Sequence, residues 1–451
     1  MCTQRRFPEG ASIRRIGLGQ GHGLGLGVFS LAAMVYTFAA TLSADDWPQW
    51  LGPTGDSVSR ETGWLKDWPD EGPPRLFEKP IGEGYSAVSI AFGHLLLYHR
   101  VKDENRLESR HPETGVQNWT YTEATDYVDR YGYSGGPRPQ PLVHRDKDSG
   151  EALVFVLDPT GVLVCVDLKK GEKRWRLDLR SEFKLQRNFF GDGAAPIIDG
   201  KHLIINLGGT DTGTGFTFAL EKLSGKIVWK SPTDGGGYAA GRTAEIDGSR
   251  HLLIFHRGGM SCLDPADGRE RWKFPWRSRI YDSVNAATPV IVDDLLFFSA
   301  AYRTGGVLLR VKKDSFEKVW QDSLSSREKI IATHWSTANY LDGHLYGFSG
   351  RHEGGSDLRC VELTTGKVKW KWESYLGRGA MIYSDGHFIA VGERGDLSLL
   401  KLSPAGHQEL RRVPRVLRHP AWTPPTLANG LLYLRDEHKL VCMDLRVKTE
   451  R

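Results

Sequence analysis

The sequence predicts an all-β fold, an eight-bladed β-propeller of four-stranded antiparallel blades. Three observations predict it: a Gly-x-x-x-Trp signature that recurs along the chain, a spacing that suits four short strands, and a final repeat lacking its last strand. The signature ends "HPETGVQNW" at Trp119, "DLKKGEKRW" at Trp175, "EKLSGKIVW" at Trp229, "DPADGRERW" at Trp272 and "ELTTGKVKW" at Trp370. A degenerate copy, "KKDSFEKVW", ends at Trp320 with Phe316 in the Gly place, and "SPAGHQEL" puts Leu410 where Trp is expected. Successive anchors lie 56, 54, 43, 48, 50 and 40 residues apart.

Each element of a blade follows from its local composition. A Pro- or Ala-bearing strand such as "AAPIID" or "ATPVIV" comes first. Apolar strands such as "KHLIINL" and "DLLFFSA" follow, then a third such as "GVLVCVDL" or "DLRCVEL". The Gly of the signature supplies the positive φ of a tight turn, and the Trp four residues on fills the wedge between diverging blades. Trp119, Trp175, Trp229, Trp272, Trp320 and Trp370 are therefore structural anchors of the blades. Mature cysteines Cys165, Cys262, Cys360 and Cys442 stand ten residues before an anchor position, in alternate blades. That separation is too great for a bridge, and they are expected as free, buried thiols.

The last repeat, "WTPPTLANGLLYLRDEHKLVCMDLRVKTER", contains three strands and a turn before the chain ends. The segment "PRLFEKP" has the character of an outer strand but no preceding blade, and it places Phe77 in the Trp position. It is expected to complete the last blade and close the ring, removing two exposed sheet edges.

Residues 1–44 read as an export signal: Arg5, Arg6, Arg14 and Arg15, then the apolar run Val28 to Leu42, then small residues at Ser43 and Ala44. A retained anchor is the alternative, although the run is shorter than the ~20 residues of a spanning helix. Cleavage leaves no membrane span and lowers the net charge from +5 to +2, since the segment carries four Arg and one Glu. A charge so near balance gives no ground for nucleic-acid binding. The organisation expected is a signal over 1–44, a leader packing on the ring over 45–74, and the propeller over 75–451.

At "GVLVCVDLKKGEKRW" and "DLRCVELTTGKVKW" the chain resembles the pyrroloquinoline-quinone (PQQ) repeat superfamily of quinoprotein-alcohol-dehydrogenase-like propellers. The leader "WPQWLGPTGDSVSRETG" with "YSGGPRPQPLV" resembles a secreted branch common in planctomycete-type bacteria. In alcohol-oxidising members, the resemblance implies PQQ in the central funnel, a calcium ion with Glu, Asn and Asp ligands, a catalytic Asp, a stacking Trp and a vicinal Cys-Cys disulfide. This sequence has no adjacent cysteines and no haem-attachment CxxCH.

Residues entering the inner strands would line the funnel: Tyr85, Tyr133, Arg138, Arg187, Asn188, Phe189, Asp192, Tyr238, Arg242, Tyr281, Asp282, Asn285, His334, Trp335, Arg378, His419 and Trp422. This mix of aromatic rings, Arg and amides suits an anionic or planar ligand. Asp192 and Asp282 are the candidate acid–base groups, and with Asn285 they could contribute oxygens to calcium. No metal site is assigned. "GGTDTGTG" (Gly208 to Gly215) lacks the Lys and helix of a phosphate loop and reads as a long turn.

Two functions remain. One is an exported, monomeric, non-catalytic scaffold that binds a protein or glycan in the periplasm or cell envelope through its loop faces or funnel. The other is a PQQ- and calcium-dependent alcohol or polyol dehydrogenase. The missing Cys-Cys pair and the near-minimal blades favour the first.

Overall fold

The computed structural model describes residues 45–210 and 213–447; the export segment and part of "GGTDTGTG" lie outside the described residues. Eight antiparallel sheets, each contributing four strands to the ring, make up the described chain, with one helical turn at Leu179–Glu182. Blade 2 shows the plan: Leu142–Arg145 innermost, then Ala152–Leu157, Val162–Asp167 and Lys173–Asp178 outermost. The middle strands are buried on both faces, so they read as continuous apolar runs rather than alternating ones.

The final blade is completed by Arg75–Pro80, which pairs antiparallel with Lys439–Asp444 and sets Phe77 opposite Cys442. Cys165, Cys262 and Cys360 likewise face Trp175, Trp272 and Trp370, while Ser109 and Ala219 face Trp119 and Trp229. All four cysteines are free and buried, and burial pushes the thiols of Cys262 and Cys442 up to about 12.

Each anchor holds its blade to the next one. The indole of Trp119 donates to the Leu168 carbonyl of blade 2 at 2.9 Å and lies against Gly171, where an added Cβ would stand 2.6 Å from the ring. Gly171 thus serves twice: its φ of +74° turns the chain, and its bare Cα admits the neighbouring indole. Trp175 docks the same way on blade 3 and Trp229 on blade 4, donating to Lys222 and Pro265 carbonyls at 3.1 Å each. Phe77 rests against Gly115 of blade 1, so ring closure repeats the dock used elsewhere.

The degenerate signatures show what the Gly does. With Phe316 in its place, the Trp272 ring packs on the Phe316 ring at 4.9 Å and its buried Nε1 finds no partner. In blade 7 the expectation for Leu410 needs correction. The bulge in the outer strand comes one residue later after the turn glycine than in blades 1, 2, 3, 4 and 6, so Leu410 falls in it and Arg411 takes the position opposite Leu399. Leu410 is packed against the core of blades 7 and 8 even so.

The leader runs across the bottom of the central channel. Trp47 exchanges backbone hydrogen bonds with Ile90 of blade 1 at 2.8 and 3.0 Å, and the Pro48 carbonyl accepts from Val143 of blade 2 at 2.8 Å. Trp50 donates to Thr288 before blade 5 at 2.9 Å, and the Ser57 carbonyl accepts from Asn339 of blade 6 at 3.1 Å. Val58–Ser59 adds a parallel strand to the inner edge of blade 7. The buried Glu61 carboxylate accepts from the Gly430 amide of blade 8 at 2.8 Å. Trp64 and Trp68 are buried in the core of blades 7 and 8. Backbone groups of the inner strands that would otherwise face an empty axis are thereby paired.

Candidate functional site

Above the leader the channel opens into a cavity of about 300 Å³, floored by Trp50. The loops entering the inner strands supply one set of walls. Of the residues expected there, Tyr85, Tyr133, Arg138, Tyr238, Asp282, His334, Trp335, Arg378 and Trp422 line it. Tyr131, Phe190, Tyr302, Arg351 and His352 join them, and these were not anticipated. Tyr302, Arg351 and His352 sit between the second and third strands of blades 5 and 6. In an antiparallel meander those loops emerge on the same face as the loops entering the first strand, and that rule could have found them.

One side of the cavity is aromatic. Ring centroids step from Tyr131 to Phe190 at 5.0 Å, Phe190 to Tyr133 at 5.6 Å, Tyr133 to Trp422 at 5.5 Å and Trp422 to Tyr85 at 5.2 Å. The other side is polar, built of ion pairs. Arg378 binds Glu393 (Nε to Oε2 3.0 Å) and lies over the Trp422 ring at 5.3 Å. Arg351 approaches Asp282 at 3.4 Å and covers Tyr302 at 4.4 Å. Between the two sides Arg138 pairs with buried Asp129 at 2.9 Å. His334 is hydrogen-bonded to Tyr302 at 3.0 Å and to Arg378 at 3.1 Å. A guanidinium only donates, so Nδ1 accepts and Nε2–H donates, which defines a neutral tautomer. Burial and the neighbouring Arg378 and Arg351 charges lower its pKa to about 3.

The remaining candidates lie away from the cavity. Asp192 is fully buried and held by Arg180 at 2.6 Å; burial pushes its carboxyl up, against the guanidinium that lowers it, to about 6. Arg242 points at the leader, donating to the Thr54 carbonyl at 3.1 Å and to that of Gly55, and burial lowers its pKa. Asn285 secures loops by donating to the His256 and Trp276 carbonyls at 2.8 and 3.1 Å. Asn188 is buried with its Nδ2 unpaired, and Arg187 is exposed, 4.0 Å from Asp126. Phe189 is buried against Tyr281, and His419 is exposed near Glu353.

A His–Ser–Glu chain occurs in blade 4, where His256 meets Ser261 at 3.0 Å and the Ser261 hydroxyl donates to Glu270 at 3.1 Å, so the serine and not the histidine is the middle member. Ser261 is 1% exposed, so its hydroxyl is not a reachable nucleophile.

The residues present do not fit a PQQ–calcium centre. Asp282 is the one carboxylate among the described residues lining the cavity, and it faces Arg351. Among the described residues, no three His, Cys, Asp or Glu side chains are placed to share an ion. Cys165, Cys262, Cys360 and Cys442 are each buried within a separate blade.

Ring, repeat and axial cavity together define an eight-bladed PQQ-type repeat propeller. More particularly, the family described as outer membrane protein assembly factor BamB matches residues 103–371, and the chain belongs to that family. Similar solved structures include BamB from Moraxella catarrhalis (15% identity, 82% of this chain and 99% of that one, TM-score 0.57). Quinohemoprotein alcohol dehydrogenase from Comamonas testosteroni is also similar (12%, 90% and 81%, TM-score 0.62), as is a europium-containing methanol dehydrogenase (11%, 86% and 89%, TM-score 0.65). At such identities the likeness shows the fold. No curated protein matches the chain.

Proposed function

We propose that this protein is an exported, monomeric, non-catalytic scaffold of the periplasm or cell envelope that holds a protein or glycan partner at the mouth of its funnel. The observation that carries this reading is the fate of the carboxylates. Asp129, Asp192 and Glu393 are each committed to an arginine, and Asp282 faces another, so none of these four carboxylates is free to act as a base. The cavity instead offers contact surface, with Tyr131 and Tyr133 at 42% and 49% exposure. Exposed aromatic residues of this kind are characteristic of recognition surfaces. The family description, an assembly factor, supports the same reading. Among the described residues no helix is long and apolar enough to cross a membrane.

The test is incubation of the purified protein with PQQ and calcium, followed by absorbance and dye-linked alcohol oxidation. Neither bound cofactor nor turnover is expected. Stoichiometric uptake with turnover, abolished by Asp282→Ala, would replace this reading with the dehydrogenase.

A further inference from the structure

The geometry points to a binding site for an uncharged saccharide in the axial cavity, entered end-on through the mouth; this rests on the funnel being the binding surface. Charge is the first reason. Arg138, Arg351 and Arg378 each already face a carboxylate, at 2.9, 3.4 and 3.0 Å. His334, wedged between Tyr302 and Arg378, adds no charge. An ionic ligand would find each of these guanidinium groups already faced by a carboxylate, and would not recover the hydration it gives up on entry.

The second reason is the pairing of surfaces. A sugar ring has an apolar C–H face and a rim of hydroxyls. The exposed ring of Tyr133, contacting Trp422 at 5.5 Å, offers a platform for the face. The ion pairs opposite present carboxylate oxygens that accept and guanidinium N–H groups that donate, the two kinds of partner a hydroxyl takes. A purely apolar ligand would cover those polar groups without satisfying them.

Shape is the third. The leader closes the bottom, with Trp50 tied to Thr288 at 2.9 Å, so a chain cannot thread through. About 300 Å³ is the lower end of small-ligand sites, room for a terminal unit or a short saccharide. The ligand is either a free sugar or the end of a neutral glycan.

Tryptophan fluorescence and calorimetry on the purified protein would test this with glucose, galactose, mannose, xylose, N-acetylglucosamine and their short oligomers. The same sugars immobilised through their reducing ends form a second arm, and glucuronate and galacturonate a third. Saturable binding of a neutral sugar is expected, changing less than about twofold between about 20 and about 500 mM NaCl. Tyr133→Ala, at an exposed position, should weaken it about tenfold or more with an unchanged melting temperature. Binding of the immobilised form assigns the ligand to a glycan end; binding of the free form alone assigns it to a free sugar. Tighter, salt-sensitive binding of the uronates overturns the proposal, as does absence of saturable binding by every neutral sugar. Either result leaves the scaffold reading standing, since only PQQ-dependent turnover removes that.

Discussion

Replacing Gly171 by Ala tests the dock between blades 1 and 2 directly. Two costs are expected, and they have different origins. The φ of +74° would force an L side chain into the left-handed region, about 1–2 kcal/mol whatever surrounds it. The new Cβ would also stand 2.6 Å from the Trp119 ring, so the indole must move. Moving it breaks the 2.9 Å bond to the Leu168 carbonyl, about 1 kcal/mol. It also exposes part of a half-buried ring, about another 1 kcal/mol. The single variant should therefore lose about 3–4 kcal/mol. In a Trp119→Ala background only the backbone cost remains, leaving a coupling of about 2 kcal/mol between the two positions. Denaturant unfolding followed by circular dichroism measures all four proteins, provided one transition is seen. Additive losses, with coupling under about 0.5 kcal/mol, would refute the double role assigned to the glycine.

Phe77→Ala should cost about 3–5 kcal/mol, because Phe77 is 8% exposed and seats the closing strand on blade 1; an unchanged melting temperature would mean the ring closes without it. Acid should destabilise the protein through two histidines whose folded pKa values are depressed, His256 to about 4 and His334 to about 3, both chiefly by burial. Their contribution is complete above the unfolded value of about 6.5 and is lost as pH falls towards those folded values, at up to about 1.4 kcal/mol per pH unit for each. A His256→Gln variant should show a shallower fall of melting temperature between about pH 6.5 and about pH 4, and an identical slope would contradict the assignment.

The repeat was legible because its information is local. Turn, bulge and anchor sit within ten residues of one another, so covalent spacing alone sets the register of Trp175 opposite Cys165. The missing strand was legible by the same count, because a ring with an odd edge demands the partner that Phe77 and its neighbours supply. Leu410 was not placed correctly, since a bulge that comes one residue later puts Leu410 itself out of the pairing. Phe316 stood out as a deviation, but nothing in its own segment says that Trp272, more than forty residues earlier, is the residue left without a partner.

The axis is where sequence by itself ran out. Blade identity, strand order and the anchor residues were determined by the chain's own periodicity. Which side chains meet at the centre depends on how far each inner strand stands from the axis and on what else occupies it. Arg242 and Tyr238 are four residues apart, yet one reaches down to the leader and the other lines the cavity. Asp192 turns away to Arg180, a partner supplied by the helical turn beside it rather than by the funnel. The leader itself carries no repeat, and its path beneath Trp50 is decided by hydrogen bonds to inner strands of blades far apart in sequence. Those contacts exist only once the ring has closed, and they convert an open channel into a blind site.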